Sequence, residues 1–427
     1  MTEEAEKLLE LAQKKGAEQA EVYQAKALSH PVYFEANRLK QLESCESEGI
    51  ALRIWRAGCP GLAVAYGNVE PEILVEKAIA LSQLNPPETI ELTPPRTAIY
   101  PTFGETVPVE TLIEIGKNAI AQIRDAYPEI LCSAEFECET ETTILVNSLG
   151  LHCQYTDISL SYYLGVELIK GEDFLGIYGG QYSRNKLETN EVVEQIIQRL
   201  TWASNNVDPP TGKVPILFTA NAATMLWGTV SAALSGKNVL EGSSPWSELL
   251  GKNVVADCLT LAQKPNLEPH NCPFDDEGTL TQELNLITSG KLQQFYTDRT
   301  TARGLKMETT GNGFRPSLGG YPTPDLVNLI IQPGVGSLKD LISELDEAIV
   351  VDQILGGGAD ISGDFSINLD LGYRVRKGEI VGRVKDTMVA GNVYHALKQV
   401  VKLGGDVDWN GSTLTPSLIV DGLSVIG

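Results

Sequence analysis

Two rhythms of apolar and polar positions run along the 427-residue chain, and the changes between them mark out its elements. Ala5, Leu8, Leu9 and Ala12 recur at helical spacing and end at Gly16, which predicts an amphipathic helix with a glycine stop. The period then drops to two over 20–27, 31–37, 49–57 and 61–66, as in antiparallel strands joined by polar or glycine-bearing turns. A helix over 71–83 closes this unit. The next stretch, 85–102, holds five prolines and no period, so it reads as an extended connector.

After the connector the same order returns. Leu112, Ile115, Ala119 and Ile123 form one stripe of a helix over 109–127. Strands are expected at 131–138, 142–146, 150–166 and 173–182, and a helix at 187–203. Helix, strands, helix thus occurs twice, a weak internal duplication carried by element order rather than residue identity. Pro209-Pro210-Thr211-Gly212 marks the next boundary. Beyond it, strands are expected at 282–288, 291–297, 328–332, 348–354, 365–375, 379–384 and 418–427. Helices are expected at 222–234, 338–344 and 393–403, the last with Asn392 as its N-cap and Gly404 as its stop. No strand–helix–strand alternation appears, which argues against a parallel doubly wound sheet. The fold class is α+β: duplicated helix and antiparallel-sheet units at 1–84 and 109–208, a connector at 85–108, and a large β-rich domain at 209–427.

Charge and cysteine usage narrow the function classes. Lys and Arg total 33 against 56 Asp and Glu, a formal charge of -23. A surface that grips nucleic acid needs clustered cations, so direct nucleic-acid binding is not expected. Seven scattered cysteines with no Cys-x-x-Cys pair read as reduced thiols in a cytoplasmic protein. The acidic start is no signal peptide. Residues 215–236 carry no charge for 22 positions, but Asn221, Gly228 and several Thr and Ser fit a strand followed by a buried helix better than a membrane span.

The usual chemical signatures are missing. The four histidines, His30, His152, His270 and His395, lie far apart, and none forms a His-x-x-x-His or His-Glu-x-x-His pair. There is no Gly-x-Ser-x-Gly elbow and no phosphate loop with its lysine. Gly356 to Asp364 is rich in glycine but carries acids that would repel phosphate, so a tight turn is its plainer role. The strongest polar constellation is Asp275-Asp276-Glu277-Gly278. Adjacent acids suit general acid–base work or a hard cation if burial separates their pKa values; a solvated turn is the simpler reading. A second polar loop, 309–316, carries Asn312 and Arg315. Arg315 has the chemistry to hold a carboxylate or a peptide terminus, though turn chemistry explains the glycines of this loop equally well.

Several of these segments, in order, resemble the TldD/PmbA family, also described as modulators of DNA gyrase. They are Pro273-Phe274-Asp275-Asp276-Glu277-Gly278-Thr279, Ile287-Thr288-Ser289-Gly290-Lys291-Leu292-Gln293-Gln294, Asp298-Arg299-Thr300-Thr301-Ala302-Arg303, Thr310-Gly311-Asn312, Gly363-Asp364-Phe365-Ser366, Val389-Ala390-Gly391-Asn392 and Pro416-Ser417-Leu418-Ile419-Val420-Asp421. TldD-type members resemble metalloproteases with a His-Glu-x-x-x-His helix and a distant Cys. Here the corresponding stretch is Leu226 to Leu234, and Trp227, Gly228 and Ala232 stand roughly where ligands and base would be. No Cys follows Gly404. The resemblance therefore implies the PmbA (TldE) branch: a metal-free, cofactor-free subunit that pairs with a TldD-type protease, or with itself, around a cleft for unfolded or precursor peptides. It implies no catalytic residue of its own. The contact residues expected are Asp275, Asp276, Glu277, Asn312 and Arg315. Two alternatives remain at this point, a stand-alone carboxylate-dependent hydrolase and a homodimeric binding or adaptor protein tied only indirectly to gyrase.

Overall fold

The spine of the first half is one long strand, Leu131–Asn147. One of its edges pairs with Gln19–Ser29 and Val32–Glu35, and the other with Leu151–Lys170 from Leu131 to Val146. All of these pairings are antiparallel, and they belong to a nine-stranded sheet. The two helix–sheet–helix units thus share one sheet. The computed structural model describes residues 2–171 and 173–427.

Helices Thr2–Lys14 and Pro71–Ser82 bury Leu8, Leu74 and Val75 against Val22, Leu52 and Ile54 of the sheet. Helices Val109–Ala126 and Asn190–Trp202 cover Phe136, Leu160 and Leu164. That second core does not stop at the sheet. It continues into Leu217, Val350, Tyr373 and Ile419 of the C-terminal region, so the two halves are joined by shared apolar burial.

The C-terminal region is an eleven-stranded sheet, and part of it closes on itself. Gly212–Phe218 pairs with Glu347–Ile354, which pairs with Asp364–Arg376, then Met388–Asn392, then Thr413–Ile426, which returns to Gly212–Phe218. The result is a five-strand ring. Period-two alternation sends Ile216 and Phe218 into one core with the helix Ala220–Leu234, and Leu217 into the core shared with the first half. The uncharged stretch at 215–236 is accounted for by this strand and helix, with Thr219 capping the helix through the Ala222 N–H. Among the described residues, no helix is long and apolar enough to cross a membrane.

Several elements differ from the sequence reading. The expected break near residue 140 is absent, because Glu139 and Glu141 stay in the ladder opposite Ser29 and Ala27. The connector contributes a strand, Arg96–Ile99, parallel to Leu151–Gln154. Arg38–Leu42 is an exposed edge strand with no apolar period to announce it. The strand expected at 291–297 shrinks to Lys291–Leu292. The helix expected over 393–403 stops at Lys398, and Val400–Asn410 is a strand against Thr413–Ile426. Gly404 therefore lies inside a strand rather than ending a helix. Asn392 does cap that shorter helix, accepting from the Tyr394 and His395 N–H groups.

Candidate functional site

The polar loops singled out by sequence meet where the first sheet abuts the C-terminal region. Phe274 anchors the first loop in a small apolar plug of Leu145, Leu151 and Cys153, with its ring edge-on to Tyr155 at 5.3 Å. Asp275 is wholly buried and accepts three backbone N–H bonds: from Glu277 (3.1 Å) and Thr279 (2.8 Å) on Oδ1, and from Gly313 (2.8 Å) on Oδ2. The first two close an Asx-type turn, and the third ties that turn to the second loop. Gly278 completes the turn at φ 73°, and a Cβ there would lie 2.5 Å from Leu151 Cδ2. Only glycine suits both demands.

The neighbouring residues are held the same way. Asp276 Oδ2 accepts from the Arg315 N–H (2.7 Å), and Glu277 Oε2 from the Arg299 N–H (2.9 Å). Asn312 has no exposed surface. Its amide donates to Gln263 Oε1 (2.8 Å) and to the Asp325 carbonyl, while its oxygen accepts from the Thr310 hydroxyl (2.8 Å). The structure thus brings all five expected contact residues together, and it turns most of their polar atoms inward.

Sequence reading missed the other half of this joint. In strand Gln19–Ser29, Ala20 and Val22 face the helix-covered core, so Glu21 points to the opposite face. Arg53 lies directly across the ladder from it. Glu21 Oε1 accepts from Arg53 Nη2 (2.9 Å) and from Arg315 Nη2 (2.8 Å), with all three side chains buried. Arg315 also donates to the Gly320 carbonyl (3.1 Å), and its guanidinium lies 5.1 Å from the Tyr23 ring centre. One carboxylate between two guanidinium groups, one from each half of the chain, clamps the first sheet to the second loop.

Burial sets the electrostatics of the carboxyls. It pushes Asp276 up to about 6, against the opposing pull of the Arg315 N–H and the Arg315 charge. Asp275 and Glu277 are also held above the usual carboxyl range, by burial first and by neighbouring acids. Unfolded carboxyls titrate near about 4. The folded chain therefore keeps protons that the unfolded chain releases, and these groups make stability fall as pH rises from about 4 through their folded values. Glu277→Gln keeps an acceptor for the Arg299 N–H but cannot ionise. Its melting temperature relative to the parent chain should climb from pH 5 to about pH 8 and level off above it. A difference that stays constant with pH would contradict this assignment.

The helix Ala220–Leu234 offers nothing to a metal. It contains no His, Cys, Asp or Glu. Trp227 points into the core and donates its indole N–H to Thr415 Oγ1 (2.7 Å). Gly228 lies on the outer face with open space beyond its Cα, and Ala232 is one turn further on. Trp227 thus shares no face with the other two. Thr229 donates to the Ala359 carbonyl (3.3 Å), so the glycine-rich loop lies over this helix as a backbone turn. Among the described residues, no group of three His, Cys, Asp or Glu side chains is arranged to hold a metal ion. The histidines stay dispersed. His270 stacks on Tyr182 (4.8 Å between centres), and burial lowers it to about 4. All seven cysteines are free thiols.

A family model described as the PmbA/TldA metallopeptidase C-terminal domain matches residues 211–427, just over half of the chain. The chain belongs to this family. The metalloprotease PmbA homolog of Haemophilus influenzae is 26% identical over 441 residues, covering 98% of this chain and 94% of the relative. A metalloprotease TldD homolog of Buchnera aphidicola is 28% identical over 204 residues, covering 47% of this chain and 42% of the relative. The crystal structure of TldE from Thermococcus kodakarensis superposes with a TM-score of 0.90 at 23% identity, over 99% of this chain and 100% of that one. That likeness establishes a shared fold. For a member of a metallopeptidase family, the residues of the helix Ala220–Leu234 do not fit a metal.

Proposed function

We propose that this chain is the metal-free, TldE-type subunit of a TldD/TldE peptidase complex acting on unfolded or precursor peptides. The single observation that carries the reading is the helix Ala220–Leu234, which has no ligand residue and directs Trp227 into the core. Changing one side chain would not rebuild a metal site there. The partner supplies the metal that activates water; this chain supplies cleft wall, peptide contacts and support for the partner's fold. The polar joint argues against Asp275 as the base of a stand-alone hydrolase, because both of its oxygens are committed to backbone N–H groups that shape the loops. A general base needs an accessible lone pair beside its substrate.

The assembly is testable by mass. Co-expressed with a TldD-type subunit from the same organism, the chain should co-purify at one-to-one stoichiometry, read by light scattering coupled to size exclusion. A chain that remains a homodimer in the presence of that subunit would overturn the partner assignment in favour of a self-associating binding protein.

A further inference from the structure

The joint opens on one side into a cleft between the first sheet and the C-terminal region. Its volume is about 330 Å³, and a second hollow of about 540 Å³ continues from it past Glu91 and Arg303. Two carboxyl groups form its floor. Glu277 and Asp298 are 8% and 3% exposed, yet both line the cleft. Each uses only one oxygen internally: Glu277 Oε2 accepts from the Arg299 N–H (2.9 Å), and Asp298 Oδ1 from the Thr301 N–H and hydroxyl (both 2.7 Å). The second oxygen of each takes no hydrogen bond among the described residues. Neither oxygen is sealed from solvent, so the pair presents two free acceptors at the end of one cleft, open to a donor from outside.

The walls narrow the choice of donor. Leu240, Tyr321, Pro322 and Pro324 line the route to the floor, and Leu240 and Tyr321 keep 44% and 40% of their surface exposed. Apolar walls ending in carboxyl groups suit a positively charged head on an aliphatic stem. The basic groups already present do not fill the role. Arg53 is paired with Glu21, and Arg303 with Glu91 at 2.7 Å. Lys237 at the rim forms no ion pair within 4 Å among the described residues, and Glu241 and Glu88 add negative charge beside it. Glu88 itself accepts the Trp55 indole N–H (2.7 Å).

We infer that this cleft binds a primary ammonium group on an aliphatic stem, with Glu277 and Asp298 as its acceptors and Leu240, Tyr321 and the two prolines around the stem. In a peptide that group is a lysine side chain or a free amino terminus. The inference rests on peptides being the ligand of the complex, and it places a preference for basic or amino-terminal residues on this subunit. Ammonium binding favours the ionised form of Glu277, whose carboxyl burial and Asp275 hold protonated, while Arg53 favours ionisation. Asp298, Lys237, Arg303, Glu88, Glu91 and Glu241 complete the charged surroundings. A lysine-type ammonium stays charged over this range, so its binding releases a proton and tightens as pH rises from 6 to 8.5, whereas an α-ammonium, which titrates near about 7.7–8.0, gains only up to that point.

The test is an NMR titration of the full chain alone, which separates it from the question of the partner. Three probes are used: N-acetyl-lysine methylamide, norleucine methylamide with its free α-ammonium, and the neutral N-acetyl-norleucine methylamide. At least one ammonium probe should bind about tenfold or more tightly than the neutral one, a gap of about 1.4 kcal/mol. Which ammonium probe wins identifies the source as side chain or amino terminus. Glu277→Gln should remove that preference and, for the lysine probe, its pH dependence. Leu240→Trp, which fills the mouth without touching the buried acids, should weaken both ammonium probes about tenfold while the fold is retained. Equal affinity for charged and neutral probes, or binding unaffected by both variants, would overturn the inference. So would failure of both ammonium probes to bind.

Discussion

Asp275→Ala should cost about 3–5 kcal/mol of unfolding free energy, taking about 1–3 kcal/mol for each buried donor left without an acceptor and allowing for incomplete additivity. The donors are the N–H groups of Glu277, Thr279 and Gly313. Among the described residues these N–H groups have no other side-chain acceptor, and water has little access to a residue with no exposed surface. Against a typical net stability of about 5–15 kcal/mol, the loss is large enough to read from urea midpoints at ordinary concentrations. Asp275→Asn should lose less. It keeps one oxygen for the turn, while its amide N–H₂ must face another donor. A change under about 1 kcal/mol for the alanine variant would mean that the loops hold each other by packing alone.

Arg315→Ala should be of similar size, about 3–5 kcal/mol, because it leaves a buried carboxylate with half its compensation. Glu21 would keep Arg53 but lose the second guanidinium, and the Gly320 carbonyl would lose its donor. The decisive measurement is the double-mutant cycle with Glu21→Gln. If the two residues act through their contact at 2.8 Å, the double variant should be more stable than the sum of the single losses by about 1–3 kcal/mol. Additive losses would show that Arg315 works through the Tyr23 ring and Gly320 instead. Hydrogen exchange should report the same event as faster opening of Gln19–Ser29 and of loop 311–315 together, since the clamp joins them.

How much of this could be read from the chain depends on the kind of signal each part leaves. Period two located most strands of the first sheet, and an Asn before an apolar run located the cap at Asn392. The Asp275 to Gly278 loop stood out because three adjacent acids before a glycine gather more polar chemistry than any other short stretch singled out. Its burial was not legible: nothing in a local pattern says that another sheet will cover the turn. Glu21 and Arg53 were invisible for the same reason. Each is a lone charge in an alternating strand, where the polar face ordinarily meets water, and only the packing of the C-terminal region against that face makes them an ion pair in the interior. Arg96–Ile99 pairs with residues more than fifty positions away, out of reach of any local rule. Val400-Val401-Lys402-Leu403 is a short, mostly apolar stretch of the kind that serves equally as helix end or strand start, and the long partner Thr413–Ile426 decides it. The helix Ala220–Leu234 was the opposite case: missing histidines can be read directly, and the structure adds that Trp227 fills the core rather than a vacant ligand position.

That helix also fixes the measurement on which the functional reading stands. The purified chain, its TldD-type partner and the reconstituted pair should each be assayed for bound zinc and iron and for cleavage of an unfolded peptide. The reading predicts no stoichiometric metal and no cleavage by this chain alone, with chelator-sensitive cleavage appearing when the partner is added. Cleavage by this chain alone that persists in chelator would contradict it.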